Sequence, residues 1–257
     1  MLNFRNTNIF FISLLIVLIG VDTSHSLPVY IYPLLVVFYS LVIFYGCYYV
    51  GSSFFIKIIC SAATDKKEIA ISFDDGPVVN HTPEILRLLQ QEDIKATFFF
   101  IGNRIAGNEN ILTQIKEDGH IIGNHSYSHH FWFDMFSSKK MLQDMKAMDD
   151  ELKRVTGLQP RLFRPPYGVT NPNLKKAIIN GNYIPVGWSV RSMDTVIKEE
   201  EKLLEKINRS IKPGAVFLFH DTSKTTLNVL PAFIKEVKNR GYNIIPLDKL
   251  LHLNPYA

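Results

Sequence analysis

From Lys66 onward, short apolar runs alternate with stretches patterned for helix, and this alternation limits the possible folds more than any other feature of the chain. Strand candidates fall at 69–73, 96–101, 120–123, 162–164, 183–188, 215–220 and 243–245. Between them, Thr82-Pro83 reads as an N-cap followed by Pro at the first helical position, opening a helix with Ile85, Leu88 and Leu89 on one face. A second helix spans 110–118, with Gly119 past its end. The longest, 138–156, carries Leu142, Met145, Leu152 and Val155 on one stripe and stops at Gly157; the stripe is core packing. Asn171-Pro172 opens another helix that ends before Gly181, and two more occupy 199–210 and 228–240. Strands alternating with helices in this way predict a parallel sheet with crossover helices, an α/β fold.

The first 63 residues have a different character. Residues 9–21 and 29–50 carry almost no charge. The second stretch is long enough to cross a bilayer, for which roughly 20 apolar residues suffice, whereas the first reads as a marginal span or re-entrant segment. Only Arg5 flanks the first stretch and no small-x-small site follows it, which favours an anchor over a removable signal. Tyr30, Tyr32, Tyr45, Tyr48 and Tyr49 at the ends of the second suit a membrane-interface belt, where a buried core helix would have no such need. Residues 51–63 stay apolar and are expected to skim the membrane. A membrane region over 1–63 and a soluble domain over 64–257 follow. Arg5, Asp22, Lys57, Lys66 and Lys67 are too few to choose between a two-span hairpin and a single span. Both cysteines, Cys47 and Cys60, precede the domain, which therefore holds no disulfide. A net charge of +4 without a dense Lys/Arg run gives no reason to expect a nucleic-acid partner.

The polar chemistry falls at strand ends. Asp74 and Asp75 follow the first strand, His125 the third, Arg164 ends the fourth, Asp194 follows the fifth, and His220-Asp221 ends the sixth. In a barrel of parallel strands these residues gather at one carboxyl-end rim. Taken alone, Ser72-Phe-Asp-Asp-Gly-Pro77 is equally a turn, and His125-Ser-Tyr-Ser-His129 is equally a shared helix face. Together they supply two imidazoles and a carboxylate for a divalent metal with open positions, plus a second carboxylate as base. Arg164-Pro-Pro-Tyr167-Gly and Leu218-Phe-His220-Asp221 complete the set.

With these motifs in this order, residues 66–250 resemble the polysaccharide deacetylases with a NodB-type domain, carbohydrate esterase family 4. The resemblance implies a distorted parallel (β/α) barrel, here preceded by N-terminal transmembrane segments. It also implies metal-dependent hydrolysis of acetyl groups, usually the N-acetyl of N-acetylglucosamine in chitin-like or peptidoglycan chains. Carried over residue by residue, Asp75, His125 and His129 match the metal ligands and Asp74 the general base. His220 matches the general acid, Arg164 the residue that orients the base, and the backbone N–H of Tyr167 an oxyanion donor. Zinc is the expected metal, with Mn, Fe and Co also suited to the donor set.

One motif departs. Many relatives read Asp-x-x-Asp-Trp after strand five, where this chain has Trp188-Ser-Val-Arg191-Ser-Met-Asp194-Thr195. Arg191 takes the first Asp position, Thr195 replaces the Trp, and Asp194 remains to orient His220. A cation at 191 suits either an anionic substrate group or a structural salt bridge. Tyr127, Phe131, Trp132 and Phe133 are equally suited to sugar stacking and to packing their loop down. The expected protein is a membrane-anchored N-deacetylase of glycans bearing N-acetylated amino sugars, in a bacterial cell membrane. The rival readings are an O-acetyl esterase or cyclic-amide hydrolase on the same fold, and a carbohydrate-binding protein without turnover.

Overall fold

The computed structural model describes residues 2–257. Helices α1 (Phe4–Asp22) and α2 (Ile31–Tyr48) form a hairpin. The Tyr39 hydroxyl donates to Asn8 Oδ1 at 2.9 Å, and its ring meets Phe11 edge-on at 5.2 Å. The first helix, 19 residues long, exceeds the marginal 9–21 segment because Asn3 caps it from outside the apolar run, accepting from Asn6 N at 2.9 Å. Of the two helices only Thr7 and Gly46 are buried.

The hairpin's root is fastened to the domain. Phe4 N donates to Phe54 O at 3.0 Å, and Thr170 donates through N to Cys47 O and through Oγ1 to Gly46 O, both at 3.0 Å. The stretch expected to skim a membrane packs onto the domain instead: Val50, Phe54, Phe55 and Ile58 are buried and Ile59 pairs with Val186.

The domain then alternates β1 (Glu68–Asp74), α3 (Thr82–Gln91), β2 (Thr97–Phe100), α4 (Glu109–Glu117), β3 (Ile121–Asn124), α5 (Ser138–Thr156), β4 (Leu162–Phe163), α6 (Pro172–Gly181), β5 (Ile184–Pro185), β6 (Val190–Arg191), α7 (Glu200–Arg209), β7 (Val216–His220), α8 (Lys224–Asn239), β8 (Asn243–Ile244) and α9 (Leu247–Leu251). The sheet runs β5-β4-β3-β2-β1-β7-β6, with β8 on β1, and every pairing is parallel. Its two edges, β5 and β6, belong to one continuous stretch. The sheet therefore curls into a barrel distorted at that seam, and Ile59 lies against Val186 to fill it.

Side chains alternate across the strands. Ile71, Phe73, Phe98, Phe100, Phe217 and Phe219 pack outward in one apolar cluster. Ala70, Phe99, Leu162, Val186 and Val216 pack in a second cluster inside, closed below by Leu247 and Leu250 of α9. Ser72, Asp74 and Arg164 continue the inward-facing positions above that floor. Gly123 leaves room for the Phe99 ring, which would lie 2.5 Å from a Cβ there.

Three local expectations change. The strand expected at 183–188 shortens to β5, and a further short strand, β6, follows it beyond Trp188 because the chain crosses the seam between them. Helix α8 starts at Lys224 rather than 228, since the Ser223 side chain accepts from Thr226 N. Thr82 is the first residue of α3 and not its cap; its hydroxyl is committed to Asp221 Oδ2 at 2.6 Å and accepts from Val78 N.

A buried polar cluster ties α5 and α6 to the end of β3. Asn124 Nδ2 donates to Asp149 Oδ1 and to Met145 O, each at 2.7 Å, and the Tyr183 hydroxyl donates to Asp149 Oδ2 at 2.5 Å. Burial pushes the Asp149 carboxyl up to about 6, against the pull of the Tyr183 and Asn124 bonds.

Two predictions follow from the packing and this cluster. A methyl at Gly46 would lie 2.3 Å from the Phe54 ring, whereas Gly20 has nothing within 4 Å. Alanine is intrinsically favoured over glycine in a helix by roughly 1 kcal/mol, but overpacking costs about 1–3 kcal/mol. Gly46→Ala should therefore lower the melting temperature of the detergent-solubilised chain and speed protease cleavage within 50–66, with Gly20→Ala doing neither.

The folded chain holds the Asp149 proton more tightly than the unfolded chain does. Its contribution is fully present below the unfolded value of 3.8 and is lost as pH rises through about 6. Relative to Asp149→Asn, the wild type should lose up to about 3 kcal/mol of stability between about pH 4 and pH 7, read from denaturant midpoints.

Candidate active site

The loops at the carboxyl ends of the strands bring Asp74, Asp75, His125, His129, Tyr167 and His220 to one cleft, which Trp188, Arg191 and Thr195 also line. Arg164 and Asp194 stand behind it, both fully buried. Every residue matched to a catalytic or metal-binding role in the sequence is thus in or directly behind a single site. Five non-glycine residues in its loops take positive φ: Asp75 (75°), Ser126 (67°), His129 (42°), Tyr167 (58°) and Met193 (68°). Such backbone persists where surrounding bonds over-determine it, and it collects at functional sites.

Asp74 and Asp75 are neighbours with separate environments. Asp74 ends β1 facing inward, and its Oδ1 accepts from Arg164 Nη1 at 2.7 Å. The same Nη1 reaches Ser72 Oγ at 2.8 Å, Nη2 donates to Gly187 O at 2.8 Å, and Nε points to Val186 O at 3.3 Å. The guanidinium lies 4.0 Å above the Phe99 ring. Burial pulls Arg164 below its ordinary value and the Asp74 charge opposes this; an arginine keeps its proton regardless.

Asp75, turned the other way by its left-handed backbone, faces the imidazoles. Its Oδ1 lies 3.5 Å from His125 Nε2 and 3.4 Å from His129 Nε2. All three donor atoms fall within 4.8 Å of one another. Ligands about 2.0–2.1 Å from a tetrahedral zinc lie roughly 3.3–3.4 Å apart, so the carboxylate–imidazole spacings fit such an ion. The chemistry of the donors agrees. His125 Nδ1 lies 2.8 Å from Arg164 O, which assigns its proton to Nδ1 and leaves the Nε2 lone pair toward Asp75. Burial, reinforced by His125, pushes His129 down to about 4, so it is neutral at physiological pH. Burial disfavours the Asp75 charge, but the His125 bond and the neighbouring imidazoles hold its carboxyl below the usual range.

The opposite side of the cleft carries an acid–base pair. His220 Nδ1 lies 2.7 Å from Asp194 Oδ1, and His220 N donates to Asp194 Oδ2 at 2.7 Å. Thr195 N and the Thr226 hydroxyl also donate to that carboxylate. Burial opposes a charged His220, yet the Asp194 bond together with the Asp74 and Asp75 charges holds its pKa above the ordinary value.

Several supports carry no sequence signal of their own. Asp144 of α5 accepts from Tyr127 N at 2.8 Å and Ser128 N at 3.2 Å, Ser126 Oγ accepts from His129 N at 3.0 Å, and Asn124 Oδ1 accepts from Ser126 N at 2.7 Å. These bonds fix the loop that presents both histidines. The aromatic cluster divides: Phe133 is buried and packs its loop down, while Phe131 and Trp132 are exposed. Arg191 makes no ion pair among the described residues, so the salt-bridge alternative is absent; Lys206 Nζ donates to its carbonyl.

Residues 61–184 match the family model for polysaccharide deacetylase. The chain is 32% identical over 194 residues to a peptidoglycan-N-acetylglucosamine deacetylase of Bacillus cereus, covering 74% of this chain and 70% of that protein. It is 29% identical over 216 residues to the peptidoglycan-N-acetylmuramic acid deacetylase PdaA of Bacillus subtilis, covering 82% and 78%. A crystal structure of a peptidoglycan N-acetylglucosamine deacetylase superposes with a TM-score of 0.74 at 29% identity, covering 78% of this chain and 95% of that one. Curled parallel sheet, ordered motifs and relatives agree, and the chain belongs to the polysaccharide deacetylase family of hydrolases.

Proposed function

We propose that this chain is a membrane-anchored, metal-dependent deacetylase that removes N-acetyl groups from amino sugars of a bacterial glycan, with zinc as the metal. One observation carries the reading: a carboxylate held by a buried arginine, a three-donor metal set and a carboxylate-backed imidazole line one cleft. A divalent cation on Asp75, His125 and His129 supplies a Lewis acid for the amide carbonyl and the attacking water.

The chain's own groups do the rest. Asp74, fixed by Arg164, takes the proton from the attacking water. The backbone N–H of Tyr167 meets charge developing on the carbonyl oxygen. An amine leaves poorly without a proton, and His220 delivers one to the departing nitrogen. Asp194 accepts from Nδ1–H and favours the imidazolium, whose second proton, on Nε2, is the one delivered. An acid so well supported favours amide over ester hydrolysis. Every position the mechanism needs is filled, which weighs against a binding protein without turnover.

The anchor rests on α1 and α2, 19 and 18 residues long, with only 6% of each buried. At 1.5 Å per residue each spans about 27–28 Å, close to the roughly 30 Å hydrocarbon core of a bilayer. The hairpin returns both of its ends to the domain, so chain start and domain share one face of the membrane.

The test is acetate release from N-acetylglucosamine oligomers and peptidoglycan fragments by the detergent-solubilised chain. Activity should vanish on stripping with chelator and return with zinc; activity unaffected by chelation overturns metal dependence. Asp74→Asn should lose about 10²–10⁴-fold in kcat on amides and on aryl acetates alike. His220→Ala should lose a similar factor on amides and far less on aryl acetates, whose phenolate leaves without a proton. Equal loss on both substrates removes His220 as the acid.

A further inference from the structure

The membrane hairpin and the mouth of the cleft share the same loops. The end of α2 is hydrogen-bonded to Thr170 through Cys47 O and Gly46 O. Tyr167 stands three positions before Thr170, which caps their Cα separation at roughly 10–11 Å. Tyr167 lines the cleft, its ring 4.6 Å from His129. On the other side of Thr170, Asn171 Nδ2 donates to Asp134 O at 2.6 Å, joining the hairpin's root to the loop that follows the metal-binding histidines.

That loop carries an exposed apolar tip. Phe131, Trp132 and Met135 are 68%, 58% and 71% exposed, while Phe133 between them is buried. Phe131 and Trp132 meet edge to face at 4.8 Å and do not line the cleft. Tyr45, Tyr48 and Tyr49 at the root of α2 are exposed as well. Aromatic residues of this kind mark the level of the membrane–water interface, and the Thr170 and Asn171 bonds hold the loop tip beside them. An apolar lip at that level is suited to a membrane surface.

The cleft also holds an unpaired cation. Arg191 lines it, is exposed and has no carboxylate partner, and Lys206 bonds to its carbonyl. An exposed guanidinium without a carboxylate partner, on the cleft wall, is a donor for an anion such as phosphate.

We propose that this deacetylase takes its N-acetylated amino sugar from a lipid carrier. Its cleft opens onto the bilayer surface, Phe131, Trp132 and Met135 sit in the interface, and Arg191 meets the phosphate that joins sugar to lipid. The inference rests on the deacetylase and hairpin readings above, and its test separates the three.

The full chain is reconstituted into phospholipid vesicles and given polyprenyl-phosphate-linked N-acetylglucosamine in the same bilayer, or soluble chitotriose. The carrier-linked sugar should be deacetylated with a kcat/KM at least about 100-fold higher, the order of gain from confining two partners together. The double variant Phe131→Asp, Trp132→Asp should lose most of that preference with chitotriose turnover unchanged. Arg191→Ala should lower turnover of the carrier-linked sugar more than that of chitotriose. Equal rates on both substrates, or equal loss in the double variant, overturn the proposal; equal loss would make the aromatics a sugar platform. Acetate from neither substrate overturns the deacetylase reading and this inference with it. Separately, Trp188→Phe leaves Trp132 as the sole tryptophan, and lipids spin-labelled near the headgroup should quench its emission. Emission unquenched in vesicles that retain the chain overturns the interfacial seat alone, whatever the enzyme assays give.

Discussion

The site depends on one buried ion pair. Arg164 places a full charge inside the barrel, where transfer from water costs several kcal/mol per ion after relaxation. The fold offsets this by giving each guanidinium nitrogen an acceptor: Asp74 and Ser72 on Nη1, Gly187 O on Nη2 and Val186 O on Nε. Phe99 lies flat beneath. Two of those acceptors are main-chain carbonyls at the seam between β5 and β6, so the same cation holds the barrel's weakest junction together. Asp74 is consequently a fixed carboxylate, committed through Oδ1 and free to work through Oδ2. Asp75, one residue on, is released from the arginine by its backbone turn and given to the imidazoles. Two adjacent carboxylates thereby acquire different chemistry from environment alone.

Much of this was legible in the sequence, because the barrel converts strand order into spatial proximity. A polar residue at the carboxyl end of each strand reaches the same rim, so Asp74, Asp75, His125, Arg164, Asp194 and His220 meet although nearly 150 residues separate the first from the last. Ser72, Asp144, Asp149 and Thr226 were not legible. They lie among ordinary polar residues of a strand and two helices, and only tertiary contact distinguishes them from solvated surface. Helix α5 shows the limit well. Of the stripe read from its sequence period, Met145 and Leu152 are buried and Leu142 and Val155 half-buried, while Met141 and Met148 beside them are the further buried positions. Nothing in that period says that Asp144 and Asp149 beside the stripe anchor the histidine loop.

Composition misjudged the segment after α2 for a related reason. An apolar side chain gains similarly from lipid and from a protein core, so 51–63 gave no sign of which one covers it. Two glycines decide the matter. Gly46 admits the Phe54 ring, and at Gly187 a Cβ would stand 2.8 Å from Cys60 Sγ, 3.0 Å from Ile58 and 3.1 Å from Val50. Close approach at these two points seats the segment along the barrel seam. Gly187 also supplies the carbonyl that receives Arg164, so the packing of the hairpin's root and the positioning of the base converge on one residue.

The surroundings of Asp194 show why His220 needs no second carboxylate at position 191. Asp194 alone accepts from the His220 ring and main chain, from Thr195 N and from the Thr226 hydroxyl, a complete set for a buried carboxylate. With His220 Nδ1 served by Asp194, Arg191 is left to line the cleft. Lys206 beside it has its own pKa pulled down by burial and by the Arg191 charge, the mark of two cations in proximity. The cleft thus carries Asp75 and the two imidazoles beside it on one side, and His220 and an exposed arginine elsewhere along its lining. On the proposed carrier-linked substrate, the acetamide would meet the metal-ligand side and the phosphate would meet Arg191.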